Sequence, residues 1–314
     1  DCPDWYNRTP LHDAVSCAVG REGSVELVGK LLRDHGAPAD AVDADGVSPL
    51  HIACLGCLGG MEQSRQVVKL LLEAGADRHR PYPRRISHPD YPQYFAHKDD
   101  TPVITAVKGG DIDVVHLLLQ ASPHPRAAPL ARATIKRSAS PAARTKGVNQ
   151  RGYAGMAPLH WACVDKEKAM IERLLAEPLA EAKMTVPCSC PRNAHDRHDA
   201  VWCLMSGIKD NGYLEPCLVD DPERWGSLLV TLLGRGLDIN AQQYHTGRTT
   251  GQTLLHWGLP VLRTYPGTLQ TLLDMGADPL IKDSAGSNVL HAAATEGCVN
   301  TLAVLLKHTG LERG

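Results

Sequence analysis

Thr9-Pro10-Leu11-His12-Asp13-Ala14 decides the fold, because the phrase comes back. Ser48-Pro49-Leu50-His51-Ile52-Ala53 and Ala157-Pro158-Leu159-His160-Trp161-Ala162 repeat it. Thr101-Pro102-Val103-Ile104-Thr105-Ala106, Thr253-Leu254-Leu255-His256-Trp257-Gly258 and Asn288-Val289-Leu290-His291-Ala292-Ala293 are looser copies. Such recurrence marks a repeat architecture, in which a unit buries its apolar face only by stacking on its neighbours.

Each phrase sits in a longer pattern. Asp43-Ala44-Asp45-Gly46-Val47 precedes Ser48, and Val67-Val68-Lys69-Leu70-Leu71-Leu72-Glu73-Ala74-Gly75-Ala76-Asp77 follows after a loop. This reads as tight turn, short helix, loop, second helix and glycine stop. The Thr or Ser hydroxyl caps the first helix, and Pro fits its first turn, where no N–H is needed. Gly75 ends the second helix in a left-handed conformation that costs glycine least. Gly46, Gly155, Gly251 and Gly286 occupy one place in the turn before the phrase, and Asn7 and Asp99 take it in two other copies. All six should have positive φ, which Asn and Asp tolerate better than most residues.

The "TPLHxA" phrase, the "VVxxLL" helix and the "GAD" ending together resemble the ankyrin repeat. The resemblance implies an all-α ankyrin-repeat solenoid of helix-turn-helix units with short β-hairpin turns. It places one domain over 1–314, with repeats at about 4–38, 43–77, 98–122, 149–178, 252–278 and 283–314. A seventh, degenerate repeat at 199–240 has a good second helix from Leu228 to Leu233. Its first helix would come from Asp199–Gly207 or from Glu215-Pro216-Cys217-Leu218.

The motif positions are unevenly spaced, from 35 residues (His256 to His291) to 96 (His160 to His256). The family period is about 33, so the excess is insertion. Inserts fall at 78–97, 123–147 and 179–211. The second is Pro, Ala and Ser rich with six basic residues and no acid, the composition of a disordered linker. Its Ser138 and Ser140 could accept phosphate. The other two hold enough aromatic residues to be partly ordered.

Composition narrows the function. The chain of 314 residues is 43% hydrophobic but only 4% aromatic, with a single Phe, so its core must be Leu, Val, Ala and Ile. A net charge of −2 exerts no global pull on nucleic acid or membrane, and no apolar run reaches the roughly 18 residues of a membrane span. No secretory signal opens the chain, and its start at Asp1 suggests an excised or processed domain. No polar capping repeat follows the last one, and an uncapped array end suggests further repeats or domains of a longer parent chain, or a docking partner. Among ten cysteines, Cys54 and Cys163 follow the motif Ala on a buried helix and Cys298 starts a second helix. Buried free thiols fit a reducing compartment, cytoplasmic or nuclear.

Five motif histidines (His12, His51, His160, His256, His291) recur at one position, whereas a catalytic His would occur once. The resemblance implies that they hydrogen-bond between neighbouring turns. Trp161 and Trp257 follow the motif His and are expected in the core. No phosphate loop, nucleophile elbow, zinc-protease or dinucleotide motif is present, so no enzyme activity and no cofactor are expected.

The family usually binds other proteins through the concave side, made of turn tips and exposed first-helix positions. The tips carry Trp5, Tyr6 and Arg8, then Ala44, Asp45 and Val47, then His97, Lys98 and Asp100, then Tyr153, Ala154 and Met156. First-helix positions add Ser16, Lys108, Asp165 and Glu296. Trp, Tyr, Arg and Met anchor interfaces. Partner contacts are therefore expected at Trp5, Tyr6, Arg8, Lys98, Asp100, Lys108, Tyr153, Met156 and Asp165, and the partner is another protein. Two other readings stay open. Arg78-His79-Arg80-Pro81-Tyr82-Pro83-Arg84-Arg85 interleaves bases and rings, as a nucleic-acid binder would. Cys188, Cys190, His195, His198 and Cys203 could hold a structural zinc, although their spacing is not a strong one. With Asp196 and Asp199, the same insert could instead build an unusual enzyme site.

Overall fold

A computed structural model describes residues 4, 6–20, 25–57, 62–87, 95–120, 147–165, 167–177, 180, 186–187, 197–198, 203, 206–208, 214–216, 222–242, 251–263 and 266–310. The insert at 123–147, with Ser138 and Ser140, lies almost wholly outside them. The chain forms two compact units: Asp1–Ala162 with Ala169–Glu181, and Cys163–Lys168 with Ala182–Gly314.

The first unit stacks helix pairs. They are α1 (Pro10–Gly20) with α2 (Val25–Arg33), α3 (Pro49–Cys57) with α4 (Glu62–Glu73), and α5 (Pro102–Lys108) with α6 (Ile112–Leu119). α7 (Pro158–Val164) and α8 (Lys168–Leu175) come next in the chain. α1, α3, α5 and α7 all begin at the motif proline, where the absent N–H leaves no bond unmade. Thr101 Oγ1 accepts from the Ile104 N–H (3.4 Å), and Asp111 Oδ1 caps α6 through the Val114 N–H (3.1 Å). The apolar rows Val67, Val68 and Leu71, then Val114, Val115 and Leu118, are buried.

The second unit carries α9 (Pro222–Leu233), α10 (Leu254–Trp257), α11 (Leu259–Leu262), α12 (Pro266–Asp274), α13 (Val289–Thr295) and α14 (Val299–Thr309). α9 packs on α12, α12 on α14, and α10 and α11 on α13. The expected second helix at Leu228–Leu233 is the end of α9. Of its expected first helix, Cys203 is helical, whereas Ser206–Gly207 and Glu215–Pro216 lie in strands. β5 (Ser206–Ile208) pairs antiparallel with β6 (Leu214–Pro216) instead. In the sequence, Asp210-Asn211-Gly212 between them is hairpin-turn chemistry, though these three residues lie outside the described ones. Two further ladders, β1 (Ile86–Ser87) with β2 (Phe95–Ala96) and β3 (Val186–Pro187) with β4 (Arg197–His198), also lie in inserts.

The turn tips follow one recipe. Asp4, Asp43 and Asp283 each open a turn whose carboxylate Oδ1 accepts two backbone N–H groups, at 2.8–2.9 Å for Asp4, 2.8–3.0 Å for Asp43 and 2.9 Å for both bonds at Asp283. The fourth turn residue has positive φ each time: Asn7 58°, Gly46 78°, Asp99 68°, Gly155 71°, Gly286 78°. Gly251 has φ 72°. Asn7 and Asp99 are the two residues other than glycine with positive φ among the described residues.

Three motif histidines, His12, His51 and His256, staple one turn to the next. In the second repeat the Ser48 N–H donates to His51 Nδ1 (3.0 Å), while Nε2 lies 2.9 Å from the Arg80 carbonyl oxygen. A carbonyl only accepts, so Nε2 holds the proton and the ring is neutral. His12 bridges the Thr9 N–H (3.1 Å) and Val47 O (3.1 Å), and His256 bridges the Thr253 N–H (3.2 Å) and Ser287 O (3.3 Å). His160 Nδ1 accepts from the Ala157 N–H (3.1 Å). Burial lowers the proton affinity of all three bridging rings, and for His51 the pKa falls to about 4.

Candidate protein-binding surface

The tips present some of the expected contacts and bury others. Tyr6 is 70% exposed and Tyr153 39%. Arg8 is half-buried and ion-pairs with Asp13 at 3.0 Å. Lys98, Asp165 and Glu296 are exposed and Ser16 is half-buried. Trp5 lies outside the described residues.

Asp100 and Met156 are corrections, since both are buried. Each is the fifth turn residue, as is the buried Val47. The fifth turn residue is not buried in every repeat, since Arg8, Gln252 and Ser287 are half-buried there. Asp100 is 0% exposed, and its carboxylate collects three donors. They are the Tyr153 N–H (3.0 Å), the His97 N–H (3.0 Å) and Lys108 Nζ (2.7 Å). Lys108 is thereby mostly buried, with its ammonium 3.8 Å from the centre of the Trp161 ring. Asp100 and Lys108 are framework groups that join the third tip to the fourth. Trp161 is buried, as expected of the core. The Trp257 side chain lies outside what is described.

Tyr153 stacks flat on His97, with ring centres 4.0 Å apart and planes at 12°. Burial, with Lys108 next, lowers the proton affinity of His97. Gly152 lets the two turns meet: a Cβ there would lie 2.6 Å from Ile104 Cδ1 and 2.9 Å from Asp100 Cα. Asp100, Lys108 and the Tyr153 backbone thus meet at one node.

The insert at 78–97 is built into the framework. Tyr82 is fully buried and its hydroxyl donates to the His51 carbonyl oxygen at 2.7 Å. Its ring lies 4.3 Å from that of His51 and packs with Leu55 and Ala96, flanked by Ile86. The Tyr82 N–H donates to Asp100 O (2.7 Å) and the Asp99 N–H to Tyr82 O (2.9 Å), closing the insert at its base. Arg78 donates to the Leu118 (3.3 Å) and Gln120 carbonyls at the end of α6. Arg80 Nη2 lies 3.9 Å from Asp40, and Arg84 pairs with Asp45.

This explains a feature that sequence reasoning missed. Leu55 stands four residues after the motif His, as Ser16 and Lys108 do. That first-helix surface was expected to be open, yet Leu55 is 1% exposed because the insert covers it. Polarity at this position gave no signal, since Val164 and Pro260 stand there in two other repeats.

Cys188, Cys190 and His195 lie outside the described residues, as do Asp196 and Asp199. His198 belongs to β4, and Cys203 is buried. Among the described residues no group of three or more His, Cys, Asp or Glu is placed to hold a metal. Cys54 and Cys57 are free and buried, and burial raises both thiol pKa values.

Residues 1–82 match the family model for ankyrin repeats in 3 copies. Over 54 residues the chain is 43% identical to NF-kappa-B inhibitor alpha of Rattus norvegicus, and equally to that of Mus musculus. The match spans 17% of this chain and 17% of each relative. Among solved structures, the human ASB11 ankyrin repeat domain superposes with a TM-score of 0.52 at 19% identity, covering 95% of this chain and 98% of that one. The ankyrin repeat domain of Bcl-3, a member of the IkappaB protein family, gives 0.56 at 21%, covering 94% and 98%. Residues 1–82 carry ankyrin repeats, and the chain has the ankyrin-repeat fold, which is mostly helical.

Proposed function

We propose that this ankyrin-repeat chain is a non-catalytic module that binds another protein through its turn tips and the insert beside them. The stacked Tyr153–His97 pair carries the reading. It sets an exposed aromatic ring on a tip fixed by the buried Asp100 carboxylate, and a rigid aromatic anchor loses little entropy on binding. Tyr6, Arg8, Lys98 and Asp165 are the further contacts, with Trp5 beside Tyr6. The similarity to a protein named as an NF-kappa-B inhibitor supports a binding role. It spans only 54 residues, so the partner is not taken from it. Seven repeats, one of them irregular, supply the scaffold. Among the described residues no helix is long and apolar enough to cross a membrane. The buried free thiols favour a reducing, cytoplasmic or nuclear setting.

Affinity capture from the native cell tests this, comparing the chain with a Tyr6→Ala, Arg8→Ala, Lys98→Ala, Tyr153→Ala variant. Loss of partners that the unchanged protein retains is the expected result. Identical sets from both proteins would sink the reading.

A further inference from the structure

Five second helices carry a pair of adjacent side chains in their first half: Leu27-Val28, Val67-Val68, Val114-Val115, Met170-Ile171 and Thr301-Leu302. In α4, α6 and α8 both members of the pair are buried. The first and last repeats break this pattern in opposite senses. In α2, Val28 is fully buried and Leu27 is 49% exposed. In α14, Thr301 is buried and Leu302 is only half-buried. The first member of a pair therefore meets the repeat before it, and the second member meets the repeat after it. The first repeat has an uncovered front face, with Leu27 and the half-buried Leu31. The last repeat has an uncovered rear face, with Leu302 and Leu290. Leu290 is half-buried, whereas Leu11, Leu50, Leu159 and Leu255 at the same motif position are buried. Polar outer faces keep a repeat array soluble, and leucines stand on both of these.

The two faces also match in hydrogen bonding. Val47 O accepts from the Asp43 N–H (3.0 Å) of its own turn and from His12 Nε2 (3.1 Å) of the repeat before. Ser287 O likewise accepts from the Asp283 N–H (2.8 Å) and from His256 Nε2 (3.3 Å). Arg8 O stands at the same turn position and accepts from the Asp4 N–H (3.0 Å), but among the described residues no histidine reaches it. On the rear face, His291 is exposed. Its Nδ1 stays on the Asn288 N–H (3.4 Å), while Nε2 has no partner among the described residues. One face thus offers a donor and the other an acceptor, in the relation that already joins neighbouring repeats.

We propose that the rear face of the last repeat receives the front face of the first repeat of a second copy of this chain. Leu27 lies on Leu302, and His291 Nε2 donates to Arg8 O. The contact goes beyond partner binding at the tips and does not use the Tyr153–His97 pair. Rear-to-rear pairing suits the faces less well, since it opposes two His291 rings and leaves Arg8 O unused. Because the two faces differ, the contact is heterologous. Copies therefore add head to tail into short chains rather than stopping at a pair, unless a ring closes.

Sedimentation velocity on the whole chain tests this from about 1 to about 200 μM, a range that fills a contact of micromolar Kd. The unchanged protein should form species larger than a dimer that grow with concentration. Leu27→Glu blocks the front face and Leu302→Glu the rear face, because each would bury an unpaired charge in the contact. Each variant alone should be monomeric over the whole range. Mixed in equal amounts, they should form a dimer and nothing larger, since the mixture keeps one intact rear face and one intact front face. His291→Ala should weaken association of the otherwise unchanged chain by about tenfold, as for the loss of one hydrogen bond. Far-ultraviolet circular dichroism confirms folding, and Leu27→Gln or Leu302→Gln replaces a glutamate variant that does not fold. An unchanged protein that stays monomeric throughout overturns the proposal. So does either single variant that still associates alone, which marks a like-to-like pair, and so does a mixture that remains monomeric.

Discussion

Acid should loosen the array through the motif histidines, and His51 gives the clearest case. Its ring must be neutral to accept from the Ser48 N–H at 3.0 Å while Nε2 donates to Arg80 O at 2.9 Å. Protonation places a second N–H against the Ser48 donor and puts charge into a buried site. Burial lowers the folded-state pKa from 6.5 to about 4. The sign follows directly. Between those values the unfolded chain holds the proton and the folded chain does not, so stability is full above about 6.5 and falls as pH drops toward about 4. Each pKa unit is worth about 1.4 kcal/mol, so going from pH 7 to 5 should remove roughly 2 kcal/mol through His51 alone. The pKa values of His12 and His256 are also lowered by burial, and these rings add to the loss. That is a large part of a typical domain's stability of about 5–15 kcal/mol. Urea melts at both pH values measure the loss, which should shrink by about 2 kcal/mol in His51→Gln. NMR of the imidazole reads the cause independently. A His51 ring that titrates near 6.5 in the folded protein would refute the reasoning, as would a variant with the acid sensitivity of the original.

Four other outcomes follow from the framework. Gly152→Ala should cost about 1–3 kcal/mol in thermal or urea melts, because its Cβ would meet backbone at 2.9 Å. Leu55→Ala should cost about 2–5 kcal/mol and speed proteolysis within 78–97, since that side chain anchors the insert. Tyr82→Phe should cost about 1 kcal/mol by removing the hydroxyl bond to His51 O, and a melt equal to the original would contradict the packing described. In the native protein, thiol labelling mapped by mass spectrometry should mark the exposed Cys17 well before Cys54 and Cys57.

Local rules made the turns readable from the sequence. The fourth turn residue needs positive φ whatever surrounds it, so Asn7 at 58° and Asp99 at 68° followed from their place opposite glycines. The motif His was equally readable, because its recurrence signals a staple. Asp100 and Met156 were misread because the fifth turn residue is buried in some repeats and half-buried in others, and polarity gives no hint of which. The Asp100 carboxylate is acceptable at full burial only with three donors, two of them backbone N–H groups invisible in a sequence. The strand pair at Ser206–Ile208 and Leu214–Pro216 was hidden for the opposite reason: the repeat pattern suggested a helix there, against the hairpin-turn chemistry of Asp210-Asn211-Gly212.

Leu55 and Tyr82 make the insert hard to lose. Had the first-helix surface stayed polar, residues 78–97 could be shortened in one step, leaving an ordinary repeat behind. With Leu55 and the underlying helix sealed by Tyr82, Ala96 and Ile86, trimming would bare an apolar patch on α3 and free the buried His51 carbonyl side of the cluster. A shortened chain would need a polar replacement at Leu55 at the same time. The insertion and the leucine are therefore mutually entrenched. A homologue lacking this insert should carry a polar residue at the Leu55 position, and one that keeps both features should retain an aromatic residue in place of Tyr82.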